Sequence, residues 1–228
     1  MRRWLWLLPA LVLGLAGCHP PPQEALRIGT NVWQGYEPLY LARDSGLFQG
    51  QRVRLVEYTS ATQLLQAFRN GAVDGGTFTL DETLPLALNG HDIAIVLVLD
   101  ASNGADALLA RPEVADLGDL EGRRVGFENT GLGAYMVTRA LQRADLEPAD
   151  ITPVTLRVDE HVRAYQEGAV DALVTFEPAR SRLRELGAVE LFNSSHIPNE
   201  VLDVLAVRRG ALEEARAPLE ALMGGWFR

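Results

Sequence analysis

The 228-residue sequence has no lysine and a single cysteine, Cys18. All 21 basic residues are arginine, set against 30 acids, and the net charge is −9. That balance excludes a nucleic-acid surface, which needs clustered basic residues to neutralise phosphate. One cysteine excludes an internal disulfide and a multi-cysteine metal site. The four histidines, His19, His91, His161 and His196, stand at no metal-ligand spacing such as HExxH. His161, beside Asp159 and Glu160 on an expected helix, reads as part of a solvated face. There is no GxSxG elbow, and the lysine of a phosphate loop is missing after Gly131. Gly131-Leu132-Gly133 is only a fragment of a dinucleotide fingerprint. No catalytic residues, metal or cofactor are therefore expected. Past the first 17 residues, no apolar run approaches the roughly 20 residues that cross a bilayer.

The N-terminus carries the most specific signal that is present. Arg2 and Arg3 precede an apolar run, Trp4 to Ala16, and Leu15-Ala16-Gly17-Cys18 closes it. Charge, a short apolar stretch and small residues before a cut are the order of a secretory signal. A cysteine directly after them resembles the bacterial lipobox. The expectation is a signal peptide over residues 1–17, and a mature chain beginning at an acylated Cys18 outside the cytoplasm. Residues 18–25 then form a lipidated linker, stiffened by Pro20-Pro21-Pro22.

From residue 26 onward, β-rich runs alternate with helix-patterned segments. Strands are expected at 26–30, 53–57, 72–78, 93–99, 106–110, 123–127, 152–157, 171–176, 189–192 and 202–207. Helices are expected at 38–46, 60–70, 80–89, 132–144, 159–167, 178–186 and 210–226. This alternation predicts an α/β protein with mostly parallel sheets. The chain also repeats itself. Arg27-Ile28-Gly29 returns as Arg124-Val125-Gly126, and Gly71-Ala72-Val73-Asp74 as Gly168-Ala169-Val170-Asp171, both 97 residues later. One offset shared by two matches points to two lobes of similar build. Lobe 1 is expected over 26–103 and 205–228, and lobe 2 over 104–204.

Two α/β lobes leave a cleft between them, and ligands bind beyond the strand ends. The strand-end segments supply the candidates. Asn31, Trp33 and Tyr36 follow the first strand, the aromatics as apolar walls. Thr79 and Asp81 follow the third and also suit a helix cap. Asn103 and Asp106 lie where the lobes join, with Asn103-Gly104 as a hinge candidate. Glu128, Thr130 and Gly131 precede a helix whose free N–H groups suit an acceptor. Glu177 opens another helix, where dipole capping is an equal reading.

At these residues the sequence resembles the substrate-binding lipoproteins of ABC importers in the nitrate/sulfonate/taurine group. The resemblance rests on Ile28 to Phe48, with Trp33, Gly35, Pro38, Ala42 and Gly46, and on Leu64 to Asp74, Leu120 to Gly126 and Val174 to Pro178. It implies a type II periplasmic-binding-protein fold closing on a small molecule. It also implies partners, an ABC permease and its ATPase, and a membrane contact through the lipid anchor. Relatives run further past the second crossover, so the C-terminal part is expected to be incomplete at Arg228. The group's name suggests anions, yet Asp81, Asp106, Glu128, Glu177 and Asp203 gather acid around the candidate cleft. Unpaired carboxylates repel an anion, and an amine-bearing or zwitterionic ligand suits them better. Two other readings stand beside transport of an amine: an anion binder, and a sensor docking on a signalling receptor. The pyrimidine-precursor synthases of the same fold family use a cysteine cluster that this chain lacks.

Overall fold

The computed structural model describes residues 24–228. The expected signal peptide, Cys18 and the proline spacer lie outside the described residues. The first lobe's strands are β1 (Leu26–Asn31), β2 (Val53–Tyr58), β3 (Gly75–Thr79), β4 (Ile93–Ala101) and, much later, β10 (Leu202–Arg208). The second lobe holds β5 (Ala107–Ala110), β6 (Arg124–Phe127), β7 (Thr152–Thr155), β8 (Ala172–Thr175) and β9 (Val189–Asn193). The main helices are α1 (Glu37–Asp44), α2 (Ala61–Arg69), α3 (Leu80–Leu88), α4 (Gly131–Gln142), α5 (His161–Gln166) and α6 (Ala179–Glu185), then α7 (Ala211–Glu214) and α8 (Arg216–Trp226). Each expected strand is present within a few residues. The expected helix 210–226 is broken at Ala215. Pro218 cannot donate to the carbonyl of Glu214, so the turn upstream cannot continue.

The two sheets run β2-β1-β3-β10-β4 and β7-β6-β8-β5-β9. In each, the βα strands pair in parallel and the other two pairings are antiparallel. The expectation of mostly parallel sheets is therefore corrected. Its cause is the double crossover: β5 and β10 each enter their sheet from the other lobe, and so run away from the cleft. Their first residues then share a rim with the last residues of β1, β3, β4, β6 and β8. Each sheet is covered on both faces, as period-two alternation requires. Leu205 and Val207 pack with Ile28, Leu39 and Leu222 on one side, whereas Ala206 joins Leu64, Phe68 and Phe78 on the other.

The repeat seen in sequence is a repeated interaction. The Arg27 guanidinium donates Nε–H and Nη2–H to the two Asp74 oxygens at 3.0 and 2.6 Å, and its backbone N–H adds a bond of 2.8 Å. Arg124 holds Asp171 in the same three ways, at 3.0, 2.7 and 2.9 Å. Each clamp ties the start of a strand to the turn that feeds its parallel neighbour. Gly71 and Gly168 end the preceding helices at φ +73 and +72, the left-handed conformation that glycine adopts at no steric cost. Burial would raise the Asp74 carboxyl, but the bonds from Arg27 hold it below its ordinary value. The bonds from Arg124 likewise lower Asp171. Both stabilising contributions are present above the ordinary carboxylate range and are lost as pH falls through the lowered native values. Asp74→Asn should cost about 1 kcal/mol after discounting for partial exposure. A urea titration of that variant, and of Asp171→Asn, checks this.

Candidate ligand cleft

Where the two rims meet, a cavity forms between the lobes. It offers about 40 Å³ to the centres of water-sized groups, room for a small polar group in this shut state. Asn31, Trp33, Tyr36, Thr79, Glu82 and Asp203 line it from the first lobe. Asp106, Glu128, Thr130, Leu132, His161 and Phe176 line it from the second. The lobes touch directly. The rings of Trp33 and Phe176 meet edge to face at 5.5 Å, and the Thr62 N–H donates to Glu128 Oε1 at 2.8 Å. A methyl placed on Gly131 would lie 2.4 Å from the Asp81 carbonyl oxygen, so only glycine permits this approach.

On the first lobe, one 3₁₀ turn at Gln34–Tyr36 turns both aromatics inward. The Trp33 indole N–H donates to Asp100 Oδ2 at 3.2 Å, and the Tyr36 hydroxyl donates to Asp203. Gly35 is required here, because a methyl would sit 1.9 Å from Asp100 Oδ2. Glu82 stands in the first turn of α3 and accepts the Thr79 N–H at 3.1 Å. Burial pushes its carboxyl up to about 8, with neighbouring Asp81 adding to the shift. Burial likewise raises Asp203 well above its ordinary value, helped by Asp100.

On the second lobe, Asp106 is 1% exposed, and neither carboxyl oxygen has a hydrogen-bond partner. Burial raises its pKa to about 6. Thr130 caps α4 by accepting the Gly133 N–H at 3.4 Å. The solvated-face reading of His161 is overturned: the ring is 1% exposed, with Nδ1 3.0 Å from Thr175 Oγ1 and Nε2 unpartnered. Its helix turns that position toward β8, while Asp159 stays exposed. Desolvation lowers its pKa to about 4, so the imidazole is neutral at pH 7.

Several sequence candidates lie elsewhere. Asn103 is exposed on the crossover and does not line the cavity, because Ser194 holds the turn by accepting the Gly104 N–H. Glu177 accepts the Ser181 N–H at 3.1 Å, the capping role, and is not on the cavity wall. Asp81 and Gly131 face each other across the lobes rather than the cavity. Glu82, Asp100, His161 and Phe176 were absent from the candidates. Glu82 is an acid in the first turn of a helix, a place acids take in many helices without a ligand, and the others carry no local signal. Among the described residues no arginine lines the cavity, and no cluster is arranged to hold a metal ion.

The raised carboxyls set a pH dependence. Glu82 and Asp106 hold protons in the native state that the unfolded chain releases near 4.5 and 3.8. Their stabilising contribution is present below those values and is lost as pH rises through about 6 and about 8. The ligand-free protein should melt at a lower temperature near pH 8 than near pH 5. Glu82→Gln should flatten that decline in a thermal melt series.

No helix among the described residues is long and apolar enough to cross a membrane. The putative aliphatic sulfonates-binding protein of Escherichia coli K12 is 25% identical over 206 residues, covering 88% of this chain and 64% of that protein. The taurine-binding periplasmic protein of the same organism is 23% identical over 197 residues, 84% of this chain and 61% of its own. This chain thus spans less than two thirds of the length of these curated relatives. The alkanesulfonate-binding protein of Xanthomonas axonopodis pv. citri, solved bound to MOPS, superposes with a TM-score of 0.79 at 24% identity, over 90% of this chain and 72% of that one. The periplasmic-binding-protein fold expected from the sequence is therefore present. The family model described as NMT1-like matches residues 19–228, and the chain belongs to that family.

Proposed function

We propose that this chain is the extracytoplasmic solute-binding component of an ABC importer. It captures a small molecule between its lobes and presents it to a permease driven by an ATPase. The curated relatives are binding proteins, and the shut two-lobed cleft suits the same task. Tethering through acyl chains on Cys18 belongs to this proposal. Cys18→Ser should move the protein from the membrane to the released fraction on cell fractionation; unchanged partitioning counts against the anchor.

The ligand bears an amine or is a zwitterion. One observation carries this: Asp106 is buried in the cavity with both oxygens unpartnered, and no arginine lines that cavity. A desolvated carboxylate without a donor costs several kcal/mol, and an ammonium group removes that cost. Trp33 and Phe176 add apolar walls whose ring faces attract a cation. Thr130 and the N-terminus of α4 lie on the same wall and suit an acidic group on a zwitterion. That helix end also favours the second reading, a simple anion in the manner of the sulfonate-binding relatives.

Calorimetric titration with matched alkylamines, taurine and alkanesulfonates separates these readings. Amine or zwitterion binding should strengthen as pH rises through about 6, where Asp106 ionises. Asp106→Asn should weaken it at least about tenfold, and Trp33→Ala should cost roughly 1–3 kcal/mol with folding retained. Tight binding of plain sulfonates with amines silent overturns the charge reading.

A further inference from the structure

The two aromatic walls of the cleft share one support. Trp33 donates to Asp100 and Tyr36 donates to Asp203. These two acids are direct cross-strand partners on β4 and β10. A bulge between Asp203 and Val204 skips Leu99 and re-aims the strand at this point. Residues directly opposite in an antiparallel pair share a face of the sheet with Cβ atoms about 4.5–5.5 Å apart, so the two carboxyl groups lie within reach of each other. Two carboxylates offer only acceptors, so a hydrogen bond between them needs a proton on one. Like charges placed directly across a strand pair otherwise repel. Asp203 is 2% exposed, so solvent does not screen that repulsion.

We infer that Asp100 and Asp203 form a carboxylic acid–carboxylate pair holding one proton, and that this pair positions Trp33 and Tyr36 as the wall of the cleft. With the proton in place, Asp203 donates to Asp100 and each acid still accepts from its aromatic. Without it the two anions part, and the Trp33 loop loses its anchor. Gly35 belongs to the same device, because any side chain there would occupy the place of the Asp100 carboxylate.

The charged surroundings favour the shared proton. Asp106, at the start of β5, faces both members of the pair. Glu82, on α3, and Asp203 both face the Tyr36 hydroxyl, whose pKa is raised by burial and then by Asp203. Asp81 and, from α6, Arg180 act on Asp106; Arg180 is the one cation among these groups, and it is engaged with Glu190 and the Gly104 carbonyl. Desolvation and neighbouring acids both raise the Asp203 carboxyl, so the proton is held well above the ordinary carboxylate range.

The role of this wall in ligand capture rests on the function proposed above, but the pair itself is tested without ligand. Of the four tryptophans, Trp4, Trp6 and Trp226 are changed to Phe, leaving Trp33 as the only indole. Trp33 emission is then followed from about pH 5 to about pH 10, with far-UV circular dichroism recorded alongside to separate a local step from unfolding. One step is expected while the dichroism stays constant. It should persist in Asp106→Asn and Glu82→Gln. It should vanish in Asp203→Asn, which keeps a permanent donor toward Asp100, and move to lower pH in Asp100→Asn, which removes the like charge. A step that survives in Asp203→Asn, or no step in the parent over the range where it stays folded, overturns the pair. Failure of amine titrations with this step intact would sink only the ligand reading.

Discussion

A carboxylate shut inside a protein must find a donor, a proton or a cation, because water no longer solvates it. That constraint governs the cleft of this chain. Asp203 takes the Tyr36 hydroxyl, Glu128 takes a backbone N–H of the opposite lobe, and Glu82 takes the N–H of its own helix cap. Asp106 takes nothing from the protein. On the amine reading proposed above, a ligand with donors of its own completes the site.

The scaffold keeps these acids together by topology rather than by local sequence. Each lobe is a pair of βα units fastened by one arginine–aspartate clamp, used once in each half. On that unit the crossovers lay one strand from the opposite direction. Asp106 and Asp203 therefore stand at the beginnings of strands, while Asp100 and Thr79 stand at or near the ends of theirs, and all four reach one rim. A purely parallel sheet would have sent Asp203 to the far side.

Closure adds the last requirement. Contacts between the lobes include the Trp33–Phe176 ring pair, the Thr62–Glu128 bond and the approach of Asp81 to Gly131. Trp33, Phe176 and Glu128 also line the cavity. Opening the lobes would hydrate Glu82, Asp106 and His161 together, so the charge state of the cleft and its closure are coupled through desolvation.

Much was legible in the sequence because it depends on neighbours along the chain. Hydrophobic alternation placed ten strands, turn glycines placed the helix ends, and the 97-residue echo of Arg27 and Asp74 in Arg124 and Asp171 exposed the doubled lobe. Trp33, Tyr36, Thr79, Asp106, Glu128 and Thr130 could be picked because they follow or precede strands, where a cleft must open. What the tertiary structure alone decided is pairing across distance. Asp100 gains meaning only from standing across from Asp203, 103 positions later, in a register shifted by a bulge. His161 sits among solvated acids in sequence, yet one turn of helix carries it under β8 and into the cavity. Asn103 and Glu177 have the right neighbours and the wrong direction. Side-chain direction and desolvation are properties of packed surfaces, and no local pattern of residue types encodes them.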